Sequence, residues 1–244
     1  MNLPAKLTSV EMILYDVLYL SYLVPQERVR SLVPASLPLA LVDGQHTFVS
    51  VALFHVLEAK AARLPSPRIS YNQVNIYTFV TAPGTGEHAV YFLRKGMTAP
   101  GWARLARWLG MPVERLELEI VPRRDKRMRY EHYAARGDWR GPIHIEADEI
   151  APRVEALPPF PSGQEAVIFL TDPLVGFYGD GRRVRRLDAW HPRFQPRVAQ
   201  VSRVEFPLLV EMGLVTAKEV PRPHNALLAP REHFLIHLPP RIVR

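Results

Sequence analysis

The feature that most limits this chain is strict alternation. From Tyr71 to Thr81, the residues Tyr71, Gln73, Asn75, Tyr77 and Phe79 fall on one face of an extended segment, and Asn72, Val74, Ile76, Thr78 and Val80 fall on the other. A period of two belongs to strands, because successive Cβ atoms point to opposite sides of the sheet. Strand patterning recurs in Thr47–Val56, His88–Arg94, Arg115–Val121, Arg127–Ala135, Ile143–Glu149, Val198–Glu205 and His233–Leu238. Pro83-Gly84-Thr85-Gly86 predicts a hairpin loop. Helical signals are fewer. Gln26–Leu32 follows Pro25, and Ala99–Leu109 follows a capping Thr98, with Trp102, Leu105 and Leu109 along one side. Ser162–Leu170 fits a helix or a strand, the helix covering Gln164–Leu170, and the glycine-rich Gly176–Gly181 reads as a turn. Many strands and few helices predict an α+β, β-rich fold whose antiparallel sheet curls or closes around its core.

A chain of 244 residues can bury a sizeable core, and residues 1–244 are read as a single domain without repeat or linker. Leu157–Gly163 is the best candidate for a long turn. No apolar run approaches the roughly 20 residues that span a bilayer, and no secretory leader pattern opens the chain. Cysteine is absent, which excludes disulfides and thiolate chemistry. A cytoplasmic protein with no membrane partner is the expectation. Of the 31 basic residues, only Lys6, Lys60, Lys95, Lys126 and Lys218 are lysines. Arginine stays protonated, so amine chemistry needs one of those five or the N-terminus. The basic runs Arg123–Arg129 and Arg182–Arg186 match no nucleic-acid module. They are read as solvated hairpin tips, with no nucleic-acid partner expected.

The stretch Tyr22–Leu39, with Val33, Pro34 and Leu37, resembles the entry motif of acetoacetate decarboxylases. The Tyr71-Asn72-Gln73 strand and the Leu109-Gly110-Met111-Pro112 turn follow in the same order. Asn75–Val80 and the later Leu170–Gly179 segment more closely resemble the uncharacterised YqjF-like bacterial branch of that superfamily. The resemblance implies a cone-shaped antiparallel β-barrel or sandwich around a pocket for a small organic ligand, and assembly as a homo-oligomer. It implies no cofactor beyond a lysine that attacks a β-keto acid to form an imine. That lysine pair falls on Val113 and Glu114, and the family's strand glutamate falls on Gln73. A second pocket glutamate falls on Ser50, and a substrate-binding arginine falls on Tyr15. The family's imine machinery is therefore missing from its own positions. A pocket protein without covalent lysine chemistry is the leading expectation, with Tyr15, Ser50, Tyr71, Gln73, Asn75, Val113 and Glu114 as ligand-binding candidates.

Two alternatives stay open beside it: a structural or interaction role, and a diverged enzyme acting on a small keto acid. For the enzyme, Glu114, a tyrosine or a histidine would be the acid/base. Lys95 could be a relocated imine-forming amine. Simple alternation puts it on the face of Tyr91, as a solvated strand-end lysine beside Arg94. The nine histidines are dispersed, and no metal is expected. His233 and His237 sit in a strand-like segment, and His132 and His144 could face each other across a hairpin.

Overall fold

A sheet whose last strand returns to its first has no edge, and this chain closes one in that way. The computed structural model describes residues 8–63, 65–108 and 110–243, with the Leu105 side chain excepted. Lys6, Leu109 and the side chain of Leu105 lie outside the described residues. In chain order the elements are β1 (Ser9–Pro25), α1 (Glu27–Arg30), β2 (His46–Ala61), β3 (Ile69–Thr81), β4 (His88–Met97), α2 (Pro100–Trp108), β5 (Val113–Arg115) and β6 (Glu117–Arg124). They continue as β7 (Tyr130–Asp138), β8 (Pro142–Ala151), α3 (Gly163–Thr171), β9 (Val175–Asp180), β10 (Arg183–Trp190), β11 (Arg197–Glu205), α4 (Leu208–Glu211) and β12 (Asn225–Ile242).

Seven strands, in the order β1-β2-β3-β4-β9-β10-β12, form a closed barrel because β12 pairs back onto β1. That closing pair runs antiparallel from Ser9–His237 to Ser21–Asn225. The other edge of β12 is shared: its first residues pair with β11 and its last with β10. From β11 the sheet leaves the barrel as a wing, β11-β8-β7-β6.

Among the described residues, the two larger apolar cores follow from the alternation. Leu18, Leu20, Val51 and Ile76 point out of the barrel and share a core with Ile120, Tyr133 and Ile145 of the wing. Leu14, Tyr19, Phe54 and Tyr77 belong to a second core, inside the barrel. Strands buried on both faces in this way carry near-continuous apolar runs, as β1 and β2 do.

One end of the barrel is plugged with rings. Phe79 stacks on His88 at 5.4 Å and meets Phe169 of α3 at 4.8 Å. Phe48 stacks on Phe160 at 5.7 Å. His88 Nε2 donates to the Phe169 carbonyl at 2.9 Å, and burial holds its pKa below the ordinary histidine value. Gln164–Leu170 lies within helix α3, whose first turn is fixed by Ser162 accepting from the Glu165 amide.

Two sequence readings change. Gly176–Gly181 is not a turn, since β9 runs through Val175–Asp180 and only the hairpin tip remains. Glycine stands at 176 for packing: a Cβ there would lie 2.5 Å from Phe92. His132 and His144 do not face each other, because His144 pairs in register with Arg136, while His132 bonds Asp148 at 2.9 Å. Among the described residues no helix is long and apolar enough to cross a membrane.

The plug generates a measurable expectation. Phe79→Ala removes a fully buried ring from its centre and is expected to lower unfolding stability by about 3–5 kcal/mol. Urea denaturation checks this, and a loss below about 1 kcal/mol would show that the rings are not close-packed.

Candidate functional site

Inside the barrel, on the open side of the plug, lies a cavity of about 440 Å³. Its mouth is formed where β2 ends and β3 begins, by Lys60, Ser66 and Pro67, with Trp102 and Ala106 of α2. The β3 residues Tyr71, Gln73, Asn75 and Tyr77 descend one wall. They are the inward members of the alternating strand. Gln73 Nε2 donates to Asn75 Oδ1 at 2.6 Å, which turns two adjacent amides into one polar strip.

Lys95 meets that strip. It pairs in register with Asn75 on β3 and with Val113 on β5. Simple alternation from Tyr91 would have turned it outward, but one extra residue intervenes. Tyr77 pairs with Phe92 and Ile76 pairs with Arg94, so Leu93 is a bulge in β4. A single bulged residue moves every later side chain to the opposite face. Arg94 therefore faces out and Lys95 faces in, with Nζ 3.5 Å from the centroid of the Phe92 ring. Lys95 is 7 % exposed and lines the cavity. It is not the solvated strand-end lysine that unbroken alternation predicts.

The electrostatics follow from that burial. Among the described residues no carboxylate pairs with Lys95 and no hydrogen bond holds its ammonium form. Desolvation therefore acts alone and lowers the pKa to about 7. A large fraction of the amine is unprotonated at neutral pH. The phenols around it move the other way. Burial pushes Tyr71 up to about 12, and Tyr19 and Tyr77 further still, so all three remain neutral hydrogen-bonding groups. Ser50 hydrogen-bonds Tyr77, and Ser21 Oγ lies 2.8 Å from Ser50 Oγ. Ser50 thus sits behind the wall, where it orients a phenol that the cavity uses.

The register places Tyr19, Ala52, Asn75, Lys95 and Val113 in one row across β1, β2, β3, β4 and β5. The sequence candidates Tyr71, Gln73, Asn75 and Val113 reach the cavity together. Two others do not. Tyr15 is paired with Arg231, whose guanidinium carbon lies 5.8 Å from its ring, away from the cavity. Glu114 follows inward-facing Val113 and so faces away from the cavity. There it is held by Arg94, by Arg140 Nε at 3.1 Å and by Trp139 Nε1 at 3.1 Å. Tyr77 reaches the cavity with Gln73 and Asn75, the polar face of β3 that the sequence points to, and Tyr19 and Phe92 complete the site without any signal in the sequence.

One more ionisable group points into the barrel near its β1–β12 seam. Glu232 pairs with inward-facing Leu14 and is 9 % exposed. Burial first, and then the charge of Asp172, push its pKa up to about 8. Asp172 is itself held by Arg193 Nε at 3.1 Å. Nearby His191, packed between Phe194 and Phe234, is kept below the ordinary histidine value by burial. Among the described residues no cluster of three or more metal-ligating side chains is present.

Known proteins agree with this architecture. Among curated proteins, none matches the chain by sequence. The fold is similar to that of the enduracididine biosynthesis enzyme MppR, solved with the condensation product of pyruvate and imidazole 4-carboxaldehyde. That likeness has a TM-score of 0.64 at 13% identity and covers 98% of this chain and 90% of that one. An acetoacetate decarboxylase-like enzyme from Sphingomonas wittichii RW1 gives 0.59 at 12% identity, covering 98% and 94%. Acetoacetate decarboxylase from Legionella pneumophila gives 0.54 at 11% identity, covering 100% and 92%. The model of the DUF2071 family, described as an uncharacterized conserved protein, matches residues 11–233. The chain thus belongs to the DUF2071 family, and its fold is like that of acetoacetate decarboxylases.

Proposed function

We propose that the protein binds a small carbonyl compound in the barrel and holds it as an imine on Lys95. One observation carries this reading: the lysine that turns inward lies beside Val113, the position where the family's own lysine is missing. The nucleophile is offered from the neighbouring strand, toward the same cavity. The leading expectation from sequence was a pocket without lysine chemistry. It rested on Val113 and on an outward Lys95, and the bulge at Leu93 removes the second support.

The chemistry needs an unprotonated amine, and desolvation supplies one near neutral pH. The amine lone pair attacks the carbonyl carbon. The carbonyl oxygen then leaves as water, taking both protons from the amine. Asn75 and the neutral phenol of Tyr77 stand along the same wall as donors to that oxygen. Solved neighbours of this fold hold pyruvate or its condensation product, which supports carbonyl ligands for the cavity. Glu114 has no part in this scheme, because arginines neutralise it outside the cavity.

Two measurements follow. Lys95 has a lower pKa folded, about 7, than unfolded, 10.5, so the unfolded chain binds the extra proton between those values. Stability should therefore rise with pH from about 7 towards 10.5, and the cost of the lysine should be fully present below 7. Lys95→Met is expected to be more stable than the parent at pH 6, by on the order of 3–5 kcal/mol. The gap should close near pH 11. A variant no more stable at pH 6 would show that Lys95 is not desolvated. Secondly, borohydride trapping with small aldehydes and ketones should alkylate Lys95, with a rate that rises through a midpoint near pH 7. Peptide mapping that finds the adduct only on other lysines would sink the proposal.

A further inference from the structure

Resting on the imine reading, we infer that the ligand is a neutral aldehyde or ketone with an extended apolar chain, and not a 2- or 3-oxo acid. The first support is the charge inventory of the wall. Among the described residues no arginine, aspartate or glutamate lines the cavity. Its lysines are Lys95 in the interior and Lys60 at the mouth, and Lys60 is already 3.4 Å from Glu11. His191, the remaining titratable base of the lining, is kept below the ordinary histidine value by burial, and its Nδ1 donates to the Pro192 carbonyl at 2.9 Å.

A carboxylate next to the reacting carbonyl would have to be buried beside Lys95. Moving such a charge out of water costs several kcal/mol unless a fixed cation meets it. Lys95 cannot fill that role and still react. As an ammonium it can pair with the carboxylate but has no lone pair, and as an amine it attacks but leaves the carboxylate unpaired. A productive oxo-acid complex needs a second interior cation, and the wall does not provide one. The amides of Gln73 and Asn75 and the neutral phenols match a carbonyl oxygen, which carries no net charge.

The second support is shape. Between the mouth and Lys95 the wall is apolar, including Met12, Leu14, Phe54, Met97, Phe234 and Ile236. Along β3 the cavity runs from Tyr71 past Asn75 to Tyr77; from Tyr71 to the Asn75 level, where Lys95 stands, is roughly 13 Å at strand rise. Below that level Tyr77 and Phe92 meet at 6.1 Å, and the ring plug follows. A linear molecule fits with its carbonyl at Lys95 and its chain toward α2.

The experiment is reductive trapping with two probes of equal chain length, 2-decanone and 2-oxodecanoate, at pH 7.5. Amine and carbonyl lose water to form the imine, and cyanoborohydride delivers hydride to its carbon, leaving a stable secondary amine on Lys95. Intact mass and peptide mapping read the adduct, and Lys95→Met serves as the blank. The expected result is a Lys95 adduct that forms about tenfold or more faster with the ketone, as an unpaired buried carboxylate requires. Equal or faster labelling by the oxo acid would overturn the neutral-ligand inference and leave the imine reading standing. Absence of any Lys95 adduct with both probes would overturn both.

Discussion

The pairing of β12 with β1 is the constraint on which the site depends. It turns an open sheet into a closed barrel, and closure is what separates the interior from water. An amine on the inner wall of an open sheet would keep its hydration and its ordinary basicity. The same amine inside a barrel plugged with phenylalanine rings loses both. The wing contributes from outside. It covers the outward faces of β1, β2 and β3, so that those strands can be apolar on both sides and stiff.

The sequence makes β3 legible because its alternation is unbroken from Tyr71 to Phe79, and the polar members of one face are the ones that reach the cavity. Lys95 is not legible in the same way. Its face depends on one extra residue, Leu93, that fits the strand pattern as well as any neighbour does. A bulge is decided by how two strands pair across the sheet, and a single strand carries no trace of that decision. Glu114 fails for a related reason. β5 has three residues, too few for periodicity to show which of Val113 and Glu114 turns inward. Gly176 is a third case, where glycine signals close packing against Phe92 and composition reads it as a turn.

Outside the cavity, several charged residues join paired groups. Arg94, Glu114, Arg140 and Trp139 form one hydrogen-bonded group on the outer side of β4 and β5. Arg124, Tyr130 and Asp16 form another, between the wing and the bend in β1. Arg186 bonds Asp188 at 2.7 Å and Glu87 at 2.9 Å. Part of each basic run is built into strands and anchors them.

Against that background Lys95 and Glu232 stand apart. Each faces the barrel interior, and each is driven by burial toward its uncharged form. Neither neutralises the other: burial alone acts on Lys95, and burial with the charge of Asp172 acts on Glu232. A methionine at 95 would fill the same space, keep the contact with Phe92 and carry no desolvation cost. Folding therefore gives no reason for an amine at this position. The bulge that turns it inward, the phenols that stay neutral around it and the amides opposite it all suit the nitrogen of the proposed imine. That asymmetry, a destabilising group set among neutral neighbours, is what the proposed imine chemistry asks of this position.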